Sequence, residues 1–271
     1  KDMDHATWSR LARRIAHHLA RPEVRGIVVT HGTDTLEETA YFLHRVLAPA
    51  RPIVLTAAMR PATSLQADGP QNLLDAVRIA RRDDVHGVLV AFGGELHHPR
   101  DVRKIHPHRL AAFGSGDAGV IAQIEDGGLR RHREWPACAP FGLAALPDDV
   151  ASWPRVEIVH SHAQADGRVV RMLCADGVQG IVVAGTGNGS VRAPMLDALR
   201  EAQRRGIAVL RCSRCLDGAV IDAAAIDAAG DETSGDPSDA DTLPGAGALT
   251  PVKARIELML ELATRVRARS A

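Results

Sequence analysis

The chain has 271 residues, which is long enough to bury a sizeable core as one large domain or two smaller ones. Its 33 basic residues balance its 33 acidic residues, so no net field draws it to nucleic acid or to an anionic membrane, and neither is expected as a partner. No apolar run approaches the roughly 18 residues that cross a bilayer, so the sequence predicts a soluble protein. The four cysteines are too sparse for a disulfide scaffold and are expected to remain thiols.

A helix, a strand and a second helix are predicted first. Asp4 or Thr7 can cap the first helix, whose apolar residues recur at helical spacing. Residues 26–30 form a short apolar run, which is typical of a parallel strand buried on both faces. Thr35 and the glutamate three residues later predict a capping box that starts a helix ending near Leu47.

The alternation continues with strands at 52–56 and 87–91, and with a helix that opens at Gly69 and carries proline in its first turn. Buried strands that alternate with amphipathic helices predict a parallel sheet covered on both faces. Ligands of such sheets bind beyond the carboxyl ends of the strands. A hairpin around residues 125–128 interrupts the alternation.

A proline-rich stretch divides the chain. Residues 134–154 hold four prolines and two tryptophans without a clear period, which indicates a linker between a domain at 1–133 and a second αβ series at 155–271. The second series is predicted to have strands at 156–159, 180–184 and 207–210 and helices at 167–174, 191–204 and 251–267. Residues 230–247 are acidic and rich in Gly, Ser and Pro, and are expected to form a surface loop.

Thr33 and Asp34 lie between the first strand and the helix after it, where backbone N–H groups and the helix dipole favour an anionic ligand. The alternative is that they only cap the helix, but Gly32 and two small polar residues exceed what one helix start requires. A threonine hydroxyl is a weak nucleophile until a base takes its proton, and a partly desolvated lysine beside a carboxylate can do so. Lys104 is the candidate base, because it is one of only a few lysines in a chain that otherwise uses arginine, and arginine cannot replace a titratable amine. Its run, Arg-Asp-Val-Arg-Lys, also fits a solvated basic turn.

Three further patterns lack the spacing that a site needs. Residues 185–189 follow a strand, but their glycines do not match a dinucleotide loop, although the loop could still approach a small anion. Cys212 and Cys215 have zinc or redox spacing without a second ligand pair nearby. Four histidines cluster without the helical spacing of metal ligands, namely His97, His98, His106 and His108. No metal and no cofactor are predicted.

The chain resembles the bacterial-type L-asparaginases, and more closely the secreted type II group. The run Val-Thr-His-Gly-Thr-Asp-Thr-Leu-Glu-Glu-Thr-Ala (29–40) looks like the second signature of that family. Four more runs match in order, namely Ala-Met-Arg-Pro-Ala-Thr-Ser (58–64), Ala-Asp-Gly-Pro (67–70), Arg-Asp-Val-Arg-Lys (100–104) and Ala-Gly-Thr-Gly-Asn-Gly (184–189). The likeness covers nearly the whole chain and weakens at the linker and at the acidic loop.

The resemblance implies two αβα domains with mainly parallel sheets, the N-terminal one larger and the C-terminal one smaller and flavodoxin-like, in a homotetramer built as a dimer of dimers. It also implies a relay in which Lys104 activates Thr33 or a water, while Asp34 also holds the amino group of the substrate. The carbonyl of Ala58 would face the substrate amide, and Ser190 would reach into the site of the neighbouring subunit. The implied substrate is L-asparagine or L-glutamine.

Two departures from the family pattern bear on activity. The Thr-Gly-Gly-Thr-Ile-like signature that supplies the family's primary nucleophilic threonine has no counterpart, because the sequence begins after it. We therefore expect that upstream residues have been lost and that the chain as given is an inactive remainder of an enzyme. Alanines occupy residues 223–225, where the family carries a glutamate near the substrate amino group, with Asp222 or Asp227 as candidate substitutes. The preference for asparagine over glutamine is left open.

The leading hypothesis is hydrolysis of L-asparagine to L-aspartate and ammonia through a threonine nucleophile, with glutaminase as a side activity. The first alternative is an asparaginase-like protein that binds the amino acid without catalysis. The second is the ammonia-generating subunit of an amidotransferase, which would need an extra module that this compact chain does not offer. The type II likeness favours the periplasm, whereas four unpaired cysteines favour the cytoplasm, which is our expectation.

Overall fold

The computed structural model describes residues 2–222 and 243–270, and the chain divides into two compact units at residues 1–150 and 151–271. Each unit combines helices with parallel strands, which confirms the predicted α/β class. The alanines at 223–225, Asp227 and most of the predicted acidic loop lie outside the described residues. Within the described ranges, no helix has both the length and the apolar character needed to cross a bilayer.

The first unit begins with the predicted alternation of helices and strands and ends in short antiparallel strands. In chain order its elements are α1 (His5–Leu19), β1 (Ile27–Thr30), α2 (Leu36–Val46), β2 (Pro52–Thr56), α3 (Gly69–Ala80), β3 (Gly87–Phe92), β4 (Glu95–His97), β5 (Arg103–Lys104), β6 (Phe113–Gly114), β7 (Ala122–Glu125) and β8 (Gly128–Arg131). Six strands form one sheet in the order β1-β2-β3-β4-β7-β8, parallel from β1 to β3 and antiparallel from β3 to β8. The strands β5 and β6 pair separately in antiparallel register.

The core of the first unit explains why β2 and β3 form at the predicted positions. Every residue of both strands is buried, as expected for strands covered on both faces. The helix α3 presents Ala76 and Ile79 to the face that carries Val54 and Leu89. Burial of one such aliphatic side chain contributes about 1.5–3 kcal/mol. The predicted hairpin is confirmed between β7 and β8, and its two-residue turn places Asp126 at φ 49° and the following glycine at φ 78°.

Two local predictions near the start of the chain are wrong. The strand β1 is only partly buried, because it pairs with β2 alone and lies at the edge of the described sheet. Thr35 occupies the N-cap position of α2, but its side chain makes no capping hydrogen bond. Its backbone, at φ −124° and ψ 17°, lies outside the extended region from which a cap hydroxyl reaches the first turn. For α1 the cap is Asp4, whose carboxylate accepts the backbone N–H of Thr7 at 2.7 Å.

The second unit is a smaller three-layer arrangement. Its elements are β9 (Val156–His160), α4 (Arg168–Ala175), β10 (Gly180–Gly185), α5 (Ala193–Arg204), β11 (Ala208–Ser213) and α6 (Pro251–Ser270). The three strands are parallel in the order β11-β10-β9, which confirms the strands predicted for this series. Ile181 and Val183 of β10 pack with apolar residues of α4 and α5. The opposite face meets α6, since a side chain at Gly180 would come within 3.1 Å of Leu258 and Leu262.

The stretch predicted as a linker is irregular, with short 3₁₀ turns at Leu143–Ala145 and Val150–Ser152. The first part of this stretch packs against the rest of the first unit. The backbone N–H of Phe141 donates to the carbonyl of Arg45 at 2.8 Å, and the Arg45 guanidinium lies 4.7 Å above the Phe141 ring centre. Leu146 is fully buried.

Candidate active site

The candidate site begins where β1 ends. The backbone N–H of His31 donates to the carbonyl of Thr56 at 2.9 Å, so the pairing of β1 with β2 continues one residue beyond the strand. Thr33 and Asp34 follow in a turn and precede α2. The site therefore lies at the carboxyl edge of parallel strands and at a helix N-terminus, as the sequence predicted.

Lys104 reaches this turn from the short strand β5. Its Nζ donates to Oγ1 of Thr33 at 2.9 Å and to Oδ1 of Asp34 at 2.8 Å. The lysine side chain is 19% exposed and the aspartate side chain is 62% exposed, so the amine is shielded while the carboxylate faces solvent. The structure thus brings together the hydroxyl, amine and carboxylate that the sequence proposed as a relay, and Lys104 is not in a solvated basic turn.

The strand β5 is anchored on both sides, which fixes the direction of the lysine. Lys104 pairs with Phe113 of β6, whose buried ring stacks edge-to-face on Phe92 of β3 with 4.9 Å between the ring centres. From the other side, Oε1 of Glu37 in the first turn of α2 accepts the backbone N–H of Lys104 at 3.4 Å. An acidic residue in that first turn is also favoured by the helix dipole.

A hydrogen-bond chain that runs from the buried indole of Trp8 to the residues just before Thr33 was not predicted. The indole N–H of Trp8 donates to Oγ1 of Thr39, Oγ1 of Thr39 lies 2.9 Å from Nε2 of His31, and Nδ1 of His31 lies 2.7 Å from the carbonyl of Gly32. The carbonyl can only accept, so Nδ1 carries a proton and Nε2 accepts the threonine hydroxyl in the neutral imidazole. The signal in the sequence is Thr39, a polar residue on the buried face of a helix.

The two predicted substrate-binding residues occupy different units. Ala58 is exposed in the loop after β2, in the same unit as Lys104. Ser190 is exposed in the second unit, where its backbone exchanges two hydrogen bonds with that of Thr186. The loop between Thr186 and Ser190 packs closely against Arg211, since a side chain at Gly189 would lie 2.8 Å from Cγ of this arginine.

The structure also places the other histidine, aspartate and cysteine residues that the sequence singled out. The His97 ring is buried, with Nδ1 2.9 Å from Oγ of Ser115. Within residues 2–222 and 243–270, no group of three or more potential ligands is arranged to hold a metal ion. Asp222, a candidate substitute for the family glutamate, accepts a hydrogen bond from Nη2 of Arg211 at 2.7 Å. Cys212 is buried, which raises the pKa of its thiol to about 12, and Cys215 is exposed.

The amine of Lys104 lies within hydrogen-bond distance of a hydroxyl and of a carboxylate at the carboxyl edge of a parallel sheet, an arrangement typical of the active site of an enzyme with an α/β fold. Comparison with protein families narrows this class. Residues 1–137 match the model of the asparaginase N-terminal domain, and residues 155–269 match that of the glutaminase/asparaginase C-terminal domain. The chain belongs to the glutaminase/asparaginase family, which confirms the resemblance noted in the sequence.

Individual relatives agree with this assignment. The chain is 36% identical over 264 residues to a probable periplasmic L-asparaginase of Haemophilus influenzae, a match that covers 97% of this chain and 72% of the relative. It is 36% identical over 219 residues to a glutaminase-asparaginase of Pseudomonas fluorescens, covering 78% of this chain and 59% of the relative. The structure of a probable cytoplasmic L-asparaginase from Campylobacter jejuni is similar with a TM-score of 0.83 and 35% identity, covering 96% of this chain and 80% of that structure.

Proposed function

We propose that this protein hydrolyses the side-chain amide of L-asparagine to give L-aspartate and ammonia, with L-glutamine as a second substrate. The observation that carries the proposal is the position of Lys104 Nζ, within 2.9 Å of both the Thr33 hydroxyl and the Asp34 carboxylate. A hydroxyl is activated when a base within hydrogen-bond reach accepts its proton. The names of the relatives, L-asparaginase and glutaminase-asparaginase, support the choice of substrates.

In the proposed route the neutral amine of Lys104 takes the proton of the Thr33 hydroxyl, or of a water beside it. The oxygen attacks the amide carbon, and the C–N bond then breaks as the lysine returns the proton to the departing nitrogen, so that ammonia leaves. When Thr33 is the nucleophile, water then hydrolyses the acyl-enzyme and regenerates the hydroxyl. The carboxylate of Asp34 stabilises the ammonium form of Lys104 between these proton transfers.

The same proposal assigns three substrate contacts. Asp34 has an exposed carboxylate that is suited to hold the α-ammonium group of the amino acid. The carbonyl of Ala58 accepts a hydrogen bond from the amide nitrogen of the substrate. Ser190, exposed on its loop in the second unit, reaches into the site of a neighbouring subunit.

The test is ammonia release from L-asparagine by the protein expressed from its complete coding sequence. We expect that Thr33→Val, which keeps the shape of the side chain, and Lys104→Met each lower kcat by about 10²–10⁴-fold, the usual contribution of acid–base catalysis. Full turnover by either variant contradicts the relay. Binding of L-asparagine in calorimetry without ammonia release from the unmodified protein favours the non-catalytic alternative.

The proposed assembly is a homotetramer. Three apolar side chains of α3 are 38–43% exposed, namely Leu73, Leu74 and Val77, and such a face is suited to contact a second copy of the chain. Sedimentation equilibrium is expected to return four times the mass of the chain. A monomer mass at micromolar concentration contradicts this assignment.

The proposed location is the cytoplasm, and the proposed domains are residues 1–133 and 155–271. The family-model matches end at residue 137 and resume at residue 155, which supports a division within 134–154. The similarity to a structure named as a cytoplasmic enzyme and the four free thiols support the location. Recovery of the activity in a periplasmic extract favours the alternative compartment.

A further inference from the structure

The loop after β2 is held by a carboxylate on the side that follows Ala58. Oδ2 of Asp68 accepts the backbone N–H of Met59 at 2.9 Å, and Oδ1 accepts the backbone N–H of Arg60 at 3.0 Å. In a planar trans peptide, the N–H and the C=O point in opposite directions. The N–H of Met59 and the C=O of Ala58 belong to one peptide unit, so the bond to Asp68 directs the Ala58 carbonyl away from that carboxylate.

An amide holds the side of the loop that precedes Ala58. Nδ2 of Asn72 donates to the carbonyl of Ala57 at 3.0 Å and to Oδ2 of Asp68 at 3.3 Å. Oδ1 of Asn72 accepts the backbone N–H of Gly93, just after β3, at 3.1 Å. Both donors of this side chain are used, and the residue is only 4% exposed. Asn72 therefore ties the ends of β2 and β3 together and fixes the peptide group on the other side of Ala58.

The position of Asp68 shows that its carboxylate is engaged by the loop. Asp68 is the N-cap residue of α3, where an aspartate normally accepts an N–H of the first helical turn. Its side chain makes no capping hydrogen bond, and both of its oxygens accept backbone N–H groups of the preceding loop instead. The carboxylate of Asp68 therefore does not cap α3; it holds the peptide groups that follow Ala58 in one orientation.

We propose that Asp68 and Asn72 are positioning residues that aim the carbonyl of Ala58 at the amide nitrogen of the substrate. This inference rests on the proposed function, in which that carbonyl accepts the N–H of the scissile amide. Neither side chain touches the substrate. Their effect is to fix the acceptor before the substrate binds, and a displacement of about 1 Å at such a contact costs about 10²-fold in rate.

The test compares two substrates that differ only at the group facing Ala58. L-asparagine carries an amide N–H, whereas L-aspartate β-methyl ester carries none, and hydrolysis of the ester releases methanol. In Asn72→Asp and in Asp68→Asn, we expect kcat/KM for asparagine to fall about 10- to 100-fold, while kcat/KM for the ester falls much less. The ratio of the two values is insensitive to a misfolded fraction, because both are measured on the same preparation.

The matched control is Gln71→Ala, at an exposed position of α3 whose side-chain amide donates to Oδ1 of Asp75. We expect its ratio to equal that of the unmodified protein. Equal losses for both substrates in Asn72→Asp and Asp68→Asn, or no loss in either, overturn the positioning role and leave the proposed function standing. An unmodified protein that releases methanol from the ester but no ammonia from asparagine contradicts the proposed function, and with it the role of the Ala58 carbonyl.

Discussion

Lys104 is one of three lysines in a chain that has 33 basic residues, and its Nζ is the atom on which the proposed chemistry depends. Arginine at this position keeps the positive charge beside Asp34 but cannot act as a base, because its guanidinium remains protonated at every pH at which the enzyme is assayed. We therefore expect Lys104→Arg to be as inactive as Lys104→Met, with kcat lower by about 10²–10⁴-fold.

Initial rates of ammonia release at saturating asparagine check this prediction. Arg103→Lys, the converse exchange one residue earlier on β5, is the matched control and should leave kcat within a few fold of the unmodified protein. If Lys104→Arg retains most of the activity, the lysine acts through its charge and the base must be sought elsewhere.

The residues of the site differ in how far the sequence could reveal them. Thr33 and Asp34 are adjacent, and their position between a strand and a helix marks them directly. Lys104 lies 70 residues beyond Asp34, so only the fold or the family pattern joins the two. The chain from Trp8 through Thr39 to His31 was missed because it depends on how α1 packs against α2, which local patterns do not encode.

At the scale of elements, α2 carries a buried histidine that should make stability depend on pH. Burial is the main cause that lowers the pKa of His44 to about 3, and the neighbouring His98 adds to it. The two rings meet edge-to-face with 5.0 Å between their centres, and Sγ of Cys138 donates to the backbone carbonyl of His44. The folded protein thus holds this imidazole in its neutral form.

The unfolded chain takes up a proton at the ordinary pKa of 6.5, whereas the folded chain does so only near pH 3. The stabilisation is therefore complete above pH 6.5 and is lost as the pH falls from 6.5 towards 3, by up to about 1.4 kcal/mol per pH unit. Urea denaturation at several pH values in this window gives the free energy of unfolding as a function of pH. We expect this free energy to change less steeply with pH in His44→Gln and His44→Leu than in the unmodified protein. An unchanged slope in both variants contradicts the assignment.

One buried arginine near the end of β11 connects this strand to three other segments of the second unit. The Arg211 side chain is 2% exposed and donates to the carbonyls of Asn188 and Leu243 and to the carboxylate of Asp222, which is 50% exposed. Arg211→Met removes all three bonds and leaves two carbonyl oxygens without this donor. Breaking a buried ion pair typically costs about 3–5 kcal/mol. We expect Arg211→Met to lower the free energy of unfolding by an amount near the lower end of this range, because water can hydrate the half-exposed carboxylate of Asp222.

Chemical denaturation measures this loss, and Arg214→Met is the control. Arg214 is an exposed arginine three residues further along, and its replacement should change the free energy of unfolding by less than about 0.5 kcal/mol. Equal effects of the two substitutions contradict the role assigned to Arg211.

The elements that the sequence predicted share a physical property. The strands β2 and β3 were located within a residue or two because their continuous apolar runs reflect burial on both faces, and the start of the helix α3 was located from the proline in its first turn. The strands β4, β5 and β6 were missed, since each has only two or three residues and is defined by a partner distant in the chain. The exposure of β1 follows from its edge position, which no local pattern specifies.

At the scale of the whole molecule, the distribution of the thiols predicts how the protein responds to oxidation. All four cysteines are free, and they differ in exposure: Cys215 is exposed, Cys138 is half-buried, and Cys174 and Cys212 are buried. Sγ of Cys212 donates to the carbonyl of Val183 in the adjacent strand, and burial raises the pKa of this thiol to about 12. The thiolate, which is the reactive form, is therefore scarce at Cys212 near neutral pH.

We expect a thiol reagent to label Cys215 fastest in the native protein, Cys138 more slowly, and Cys174 and Cys212 only after denaturation. Mass spectrometry of timed samples identifies each labelled site, and Cys215→Ser should remove the fastest phase alone. Mild oxidation with glutathione disulfide should attach glutathione to Cys215. We expect no Cys212–Cys215 disulfide to follow, because the sulfur of Cys212 would have to attack this mixed disulfide and it is buried against the adjacent strand. A Cys212–Cys215 disulfide in the native protein contradicts the burial of Cys212 and weakens the argument for a reducing compartment.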